Sequence, residues 1–186
     1  MNDSQIIDLL FARSEQGILE LSQKYDSQCK SIAKNILNNT LDAEECVNDA
    51  YFGIWNSIPP QKPNPLFPYL FRIVRNLSLK KYHANTAVKR NSSYDIALSE
   101  LESCLASAQT VEETCSAKEL SELIDHFLDT LPKKDRILFV RRYWYADPIS
   151  DLAKTFQMTD NAVSVRLLRI REKLKKYLKK EGFFYE

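Results

Sequence analysis

Ala162, Arg166, Arg169 and Lys173 recur at intervals of four, three and four residues, interleaved with Asn161, Ser164 and Val165. On a helix this spacing makes one polar and cationic stripe, with the small Ala162 near its start. The chemistry open to such a stripe is recognition. A guanidinium fork pairs with a guanine edge, amides and hydroxyls reach bases or phosphates, and lysines neutralise phosphate. A second set, Arg72, Arg75, Asn76, Lys80 and His83, shares one side of another helical stretch and makes a second DNA-compatible face.

Bond-making chemistry finds less support. His83 and His126 stand alone. Cys29, Cys46, Cys104 and Cys115 form no C-x-x-C pair, so no metal site is expected and the thiols read as reduced and buried. Three glycines, Gly17, Gly53 and Gly182, write neither a dinucleotide fingerprint nor a phosphate loop, and no cofactor is implied. A nuclease or transferase would need clustered carboxylates or a nucleophile–base pair, and residues 50–94 hold no acid at all. The chain is therefore read as non-enzymatic. No apolar run approaches the roughly 20 residues that cross a bilayer, and the opening stretch carries acids where a secretory leader is basic. The expectation is a cytoplasmic protein without direct membrane insertion.

Formal charge over the 186 residues is only +1, yet the signs are segregated. Residues 1–49 carry four bases against nine acids. Residues 50–94 carry seven bases, and 95–130 carry nine acids against one base. From 161 to 180 there are eight bases and one acid. Two basic segments separated by an acidic one predict two polyanion-binding surfaces joined by a connector that does not bind the same polyanion.

The elements that must hold these surfaces are all helices, because apolar residues recur at helical spacing nearly throughout and period-two alternation is missing. A helix pair is predicted over Ser4 to Asn38, broken near Ser14 to Gly17. Asp42, with Glu45 three residues on, reads as a capping box that opens the next helix, carried by Val47, Ala50, Tyr51, Ile54, Trp55 and Ile58. Prolines at 59, 60, 63, 65 and 68 predict a rigid loop, followed by a helix from Tyr69 with Leu70, Ile73, Val74 and Leu77 buried. Residues 91–117 read as an acidic linker, helical in part near Ile96 to Leu105. Beyond it, helices are predicted from near Ala117, over Lys133 to Tyr145, and over Ile149 to Phe156. After the turn Gln157-Met158-Thr159 comes a long helix with Val163, Leu167, Ile170, Leu174 and Leu178 inward. A short helix, a tight turn and a helix with a cationic outer face is helix-turn-helix geometry. The fold class is all-α, with two helical domains over 1–90 and 118–186.

At this point the residues resemble a known pattern from about Leu10 to Leu178. Asp42-Ala-Glu-Glu45 followed by Asn48, Asp49, Tyr51, Phe52 and Trp55 is similar to the clamp-docking helix of bacterial extracytoplasmic-function sigma factors of the sigma-70 family. Leu66 to Asn76 resembles that family's minus-ten helix. Leu131-Pro132, Arg141-Arg142-Tyr143, Asp151-Leu152-Ala153 and Ala162 to Arg171 resemble its minus-thirty-five domain. Tyr69 stands where Trp is usual, Lys80 where Asp is common, Gln157 where Gly is common, and Asn161-Ala162 where Gly-Thr is common.

The resemblance implies a sigma factor that binds core RNA polymerase, directs it to promoter DNA and assists strand opening. It implies region 2 over 1–90 and region 4 over 118–186, joined by a linker that runs through the polymerase's basic RNA-exit region. Polymerase docking falls to Asp42, Glu45, Asn48, Asp49, Phe52 and Trp55. The minus-ten element falls to Asn64, Tyr69, Arg72, Arg75, Asn76 and Lys80, with Lys81 and Lys89 on phosphates. The minus-thirty-five element falls to Asn161, Ala162, Ser164, Val165, Arg166, Arg169 and Lys173, and Lys175 and Lys176 face phosphates. An anti-sigma factor is an implied partner. The rival reading is a stand-alone helix-turn-helix regulator that binds duplex operator DNA without polymerase.

Overall fold

A computed structural model describes residues 1–84, 92–105 and 117–182. The fold is all-α, with nine helices and no strand among the described residues: α1 (Asp3–Phe11), α2 (Gln16–Leu37), α3 (Thr40–Ser57), α4 (Leu66–Ala84), α5 (Ser93–Leu105), α6 (Ala117–Thr130), α7 (Lys133–Tyr143), α8 (Ile149–Phe156) and α9 (Asp160–Lys180). The chain divides into two compact units, Met1–Ser92 and Ser93–Glu186.

In the first unit α2, α3 and α4 pack pairwise, and α1 folds back on α2. Their shared core is aliphatic: Leu21, Ile32, Ala33 and Ile36 from α2; Val47, Ala50 and Ile54 from α3; Leu66, Leu70 and Val74 from α4. Cys29 and Cys46 are free thiols inside it, and burial pushes the Cys29 thiol up to about 12, so it stays protonated and unreactive. The expected capping box at Asp42 lies elsewhere. Asn38 ends α2 in the left-handed conformation, and Asn39 caps α3 by accepting from the backbone N–H groups of Leu41 and Asp42. Asp42 therefore sits in the first turn of α3, where its charge favours the helix dipole. The next helix also starts earlier than Tyr69. α4 begins at Leu66, and Pro68 is tolerated because the N–H it lacks is one of the four left unpaired at any helix start.

The second unit closes around α9. Val163, Leu167, Ile170, Leu174 and Leu178 are all buried, as their spacing predicts, against Phe127, Leu138, Phe139, Tyr143, Leu152 and Ala153. The structure differs from the expected linker over 91–117 in its first part. α5 belongs to the second unit, burying Ala97 in that core and turning the Glu100 carboxylate onto Arg142, Tyr143 and Arg171. The remainder of the linker, 106–116, lies outside the described residues.

Gln157 makes the corner between α8 and α9 with φ 54 and ψ 47. Left-handed backbone costs a side-chain-bearing residue about 1–2 kcal/mol, and the exposed Gln157 side chain repays none of it through packing. Gln157→Gly should therefore stabilise this unit, by about 0.5–1 kcal/mol once the extra freedom of glycine in the unfolded chain is counted. Urea unfolding checks it, and a lower midpoint at unchanged slope would contradict the strain.

Candidate nucleic-acid interface

The turn into α9 is set by Thr159, whose hydroxyl accepts from the Ala162 backbone N–H at 3.2 Å. From that start Asn161, Val165, Arg169 and Lys173 are exposed, while Ala162, Ser164 and Arg166 are half-buried. The Ser164 hydroxyl donates back to the Asp160 carbonyl at 2.9 Å, a bond internal to the helix. Arg166 is placed differently from the expectation of an outward base reader. Its Nε donates to the carboxylate of Asp135, a buried residue in the first turn of α7, and Nη1 approaches the Met158 sulfur. Its Nε edge is thus engaged within the unit and ties α9 to α7, while the side chain stays partly exposed. The outward set is Asn161, Val165 and Arg169, with the apolar Val165 and Leu168 also exposed. That combination can take a guanine edge, an amide-readable base and a thymine methyl.

On the first unit, Arg72, Asn76 and Lys80 are exposed along α4, and Tyr69 and Arg75 are half-buried. The Arg72 guanidinium lies 5.2 Å from the Tyr69 ring centroid, so one cation is held next to the aromatic that could stack on a base. Asn64 is exposed in the loop before α4. Lys81 departs from the expected phosphate-facing role. It bonds Glu45 at 2.6 Å and Asp42 at 3.0 Å, and these hydrogen bonds, Glu45 first, raise its pKa. Residues expected on two different interfaces are here brought together, tying the end of α4 to the start of α3. Lys89 lies outside the described residues.

The outer face of α3 carries Leu41, Glu45, Asn48, Phe52 and Trp55 at intervals of four, three, four and three, with Asp49 exposed beside them. Leu41 is 77% exposed and Phe52 68%, large values for apolar side chains. Exposed apolar side chains flanked by polar groups are compatible with a protein-docking surface. Leu41 was missed in the sequence reading, although its place four residues before Glu45 would have found it. Trp55 is half-buried under the Arg13 guanidinium, 5.5 Å from its ring centroid.

Among the described residues no cluster of three or more His, Cys, Asp or Glu could hold a metal ion, and no helix is long and apolar enough to cross a membrane.

Comparison with known proteins gives two family matches. The sigma-70 region 2 family matches residues 21–87, and sigma-70 region 4 matches 121–174. No curated protein matches the chain. A solved structure of CnrH in complex with the cytosolic domain of CnrY aligns with 96% of this chain and 97% of its own, at 17% identity and a TM-score of 0.44. Region 2 falls in the first unit and region 4 in the second, together well over half of the residues. The chain belongs to the sigma-70 family of DNA-binding transcription regulators, with the pair of regions typical of its extracytoplasmic-function sigma factors.

Proposed function

We propose that this chain binds core RNA polymerase through the outer face of α3 and directs it to promoters by two DNA contacts, promoting strand opening without catalysing a reaction itself. The observation that carries the reading is the exposed Leu41–Phe52 face of α3, in the unit that also bears the cationic outer face of α4. A stand-alone duplex-binding regulator would use such a surface only to dimerise or to sense a ligand. The region 2 and region 4 matches support the same division of labour.

In this reading Asn161, Ala162, Ser164, Val165 and Arg169 read the minus-thirty-five element, and Lys173 sits on a phosphate. Arg166 contributes by fixing the depth of α9 through Asp135. Asn64, Tyr69, Arg72, Arg75, Asn76 and Lys80 serve the minus-ten element, where stacking on the accessible part of the half-buried Tyr69 ring favours the unpaired strand over the duplex. Opening then draws on binding energy, since bases held by the protein are withdrawn from pairing. Polymerase and promoter DNA are the partners, and an anti-sigma factor is a further one on family grounds. The site of action is the cytoplasm.

The test is to mix the purified protein with core polymerase and a pool of random promoter DNA. Transcripts that share a two-part upstream motif, and that need both proteins, support the reading. If the protein alone retains a duplex motif and no complex with polymerase forms, the stand-alone regulator replaces it. Within that assay Arg169→Ala should cost about 1–3 kcal/mol of discrimination, roughly 5- to 150-fold, at one minus-thirty-five position, with core affinity unchanged. Wild-type base preference at every minus-thirty-five position in Arg169→Ala would remove Arg169 from the reading set.

A further inference from the structure

Phe11 and Arg13 lie outside the residues matched by region 2, yet both reach the segment that enters the proline loop. Arg13 occupies the corner between α1 and α2 with φ 54. Its Nη1 donates to the Trp55 carbonyl in the last turn of α3, and its guanidinium covers the Trp55 ring. From the loop, Lys62 extends its ammonium to 5.9 Å from the ring centroid of Phe11, the last residue of α1. Two cation–π contacts thus run in opposite directions, one with its cation on the corner and one with its cation on the loop. The corner is itself tightly closed. A Cβ on Gly17 would stand 3.1 Å from Leu10, so glycine lets α1 come down onto α2.

The loop has little with which to brace itself. Prolines occupy 59, 60, 63 and 65 and supply no N–H, and its one backbone bond among the described residues runs from Gln61 to the Ser57 carbonyl. The buried Ile58 and Leu66 anchor its two ends, and between them side chains from another element add to what holds it. We propose that Phe11 and Arg13 are positioning residues for the 59–65 loop, fixing Asn64 and the start of α4 in the geometry that captures an unpaired base. This rests on the sigma-factor reading above. Neither residue needs to touch DNA in this role; Arg13 acts through Trp55, and Phe11 through Lys62.

The experiment uses holoenzyme and a promoter duplex carrying a short randomised single-stranded segment at the minus-ten position. Wild-type holoenzyme should enrich a motif there. Phe11→Leu keeps apolar bulk but removes the π-face, and should lower that selectivity about threefold to fivefold, as should Arg13→Ala, with roughly tenfold or more lost in the double variant. Phe11→Tyr, which restores a π-face, should recover it. Core-polymerase affinity and the thermal midpoint of Phe11→Leu should match the wild type. Unchanged selectivity in the double variant overturns the proposal, as does loss of core affinity in step with selectivity, which would assign the corner to docking. If the wild-type holoenzyme enriches no motif, the sigma reading itself fails and takes this inference with it.

Discussion

Glu100→Ala is expected to destabilise the C-terminal unit by about 3–5 kcal/mol, enough to unfold a marginal domain, while leaving the first unit intact. The reason is Arg142, whose side chain is only 2% exposed. Its Nη2 and Nε donate to the Glu100 carboxylate at 2.7 and 3.3 Å, and Nη1 donates to the Asp147 carbonyl at 3.0 Å. The same carboxylate accepts from Arg171 at 3.1 Å and from the Tyr143 hydroxyl at 3.0 Å. Truncating Glu100 removes a carboxylate shared by two guanidiniums, that of Arg142 almost entirely out of water and that of Arg171 largely so, and a buried cation deprived of a counter-charge is among the most costly defects in a folded chain. Tyr143 reports the same dryness, since burial is the main cause that raises its pKa. Glu100→Gln keeps the shape and one acceptor but not the charge, so its loss should be smaller. Glu102→Ala, on the exposed side of the same helix, should change stability by less than about 0.5 kcal/mol. Urea unfolding of the full chain, followed by probes in each unit, separates these outcomes. If Glu100→Ala costs no more than Glu102→Ala, α5 is not part of the second unit.

How much of this was legible in advance follows from the range of the interactions. The α9 stripe, the turn before it and the short α8 were readable because each depends on residues three or four apart, where helix geometry alone fixes neighbours. The membership of α5 was not. Glu100 meets partners 42, 43 and 71 residues away, and a lone acid in an acidic stretch carries no mark of a buried destination. Arg166 is a similar case: its place in the cationic stripe is visible from spacing, but its bond to Asp135, 31 residues upstream, is not. Asp42 shows a third kind of limit. Its capping signature was genuine, and Asn39 offered a competing acceptor that the end of α2 at Asn38 had already placed at the helix start. Charge segregation located the two basic surfaces, but pairing decided which cations remain outward, with Lys81 drawn into α3 and Lys80 left exposed.

Phe52→Asp should be the most damaging single change to polymerase binding, weakening it by about 2–4 kcal/mol, roughly 30- to 1,000-fold. Phe52 is 68% exposed on α3 and contributes little to the core of its unit, so the variant should melt as the wild type does. Burying a phenylalanine ring at an interface is worth about 1.5–3 kcal/mol, and a carboxylate in its place would be desolvated without a partner. Glu45 offers the contrast. It is exposed and already bonded to Lys81, so Glu45→Ala removes no unpaired anchor and should change core affinity by less than about 1 kcal/mol. Phe52→Leu should fall between the two, because it keeps apolar area but loses the ring. Titration of labelled protein with core polymerase measures all three. Wild-type affinity for Phe52→Asp would place docking elsewhere, whereas loss with Glu45→Ala alone would make the α3 surface an electrostatic contact. The predicted order, Asp worst and Ala at 45 mildest, holds only if the apolar anchors carry the energy and the acids around them supply alignment.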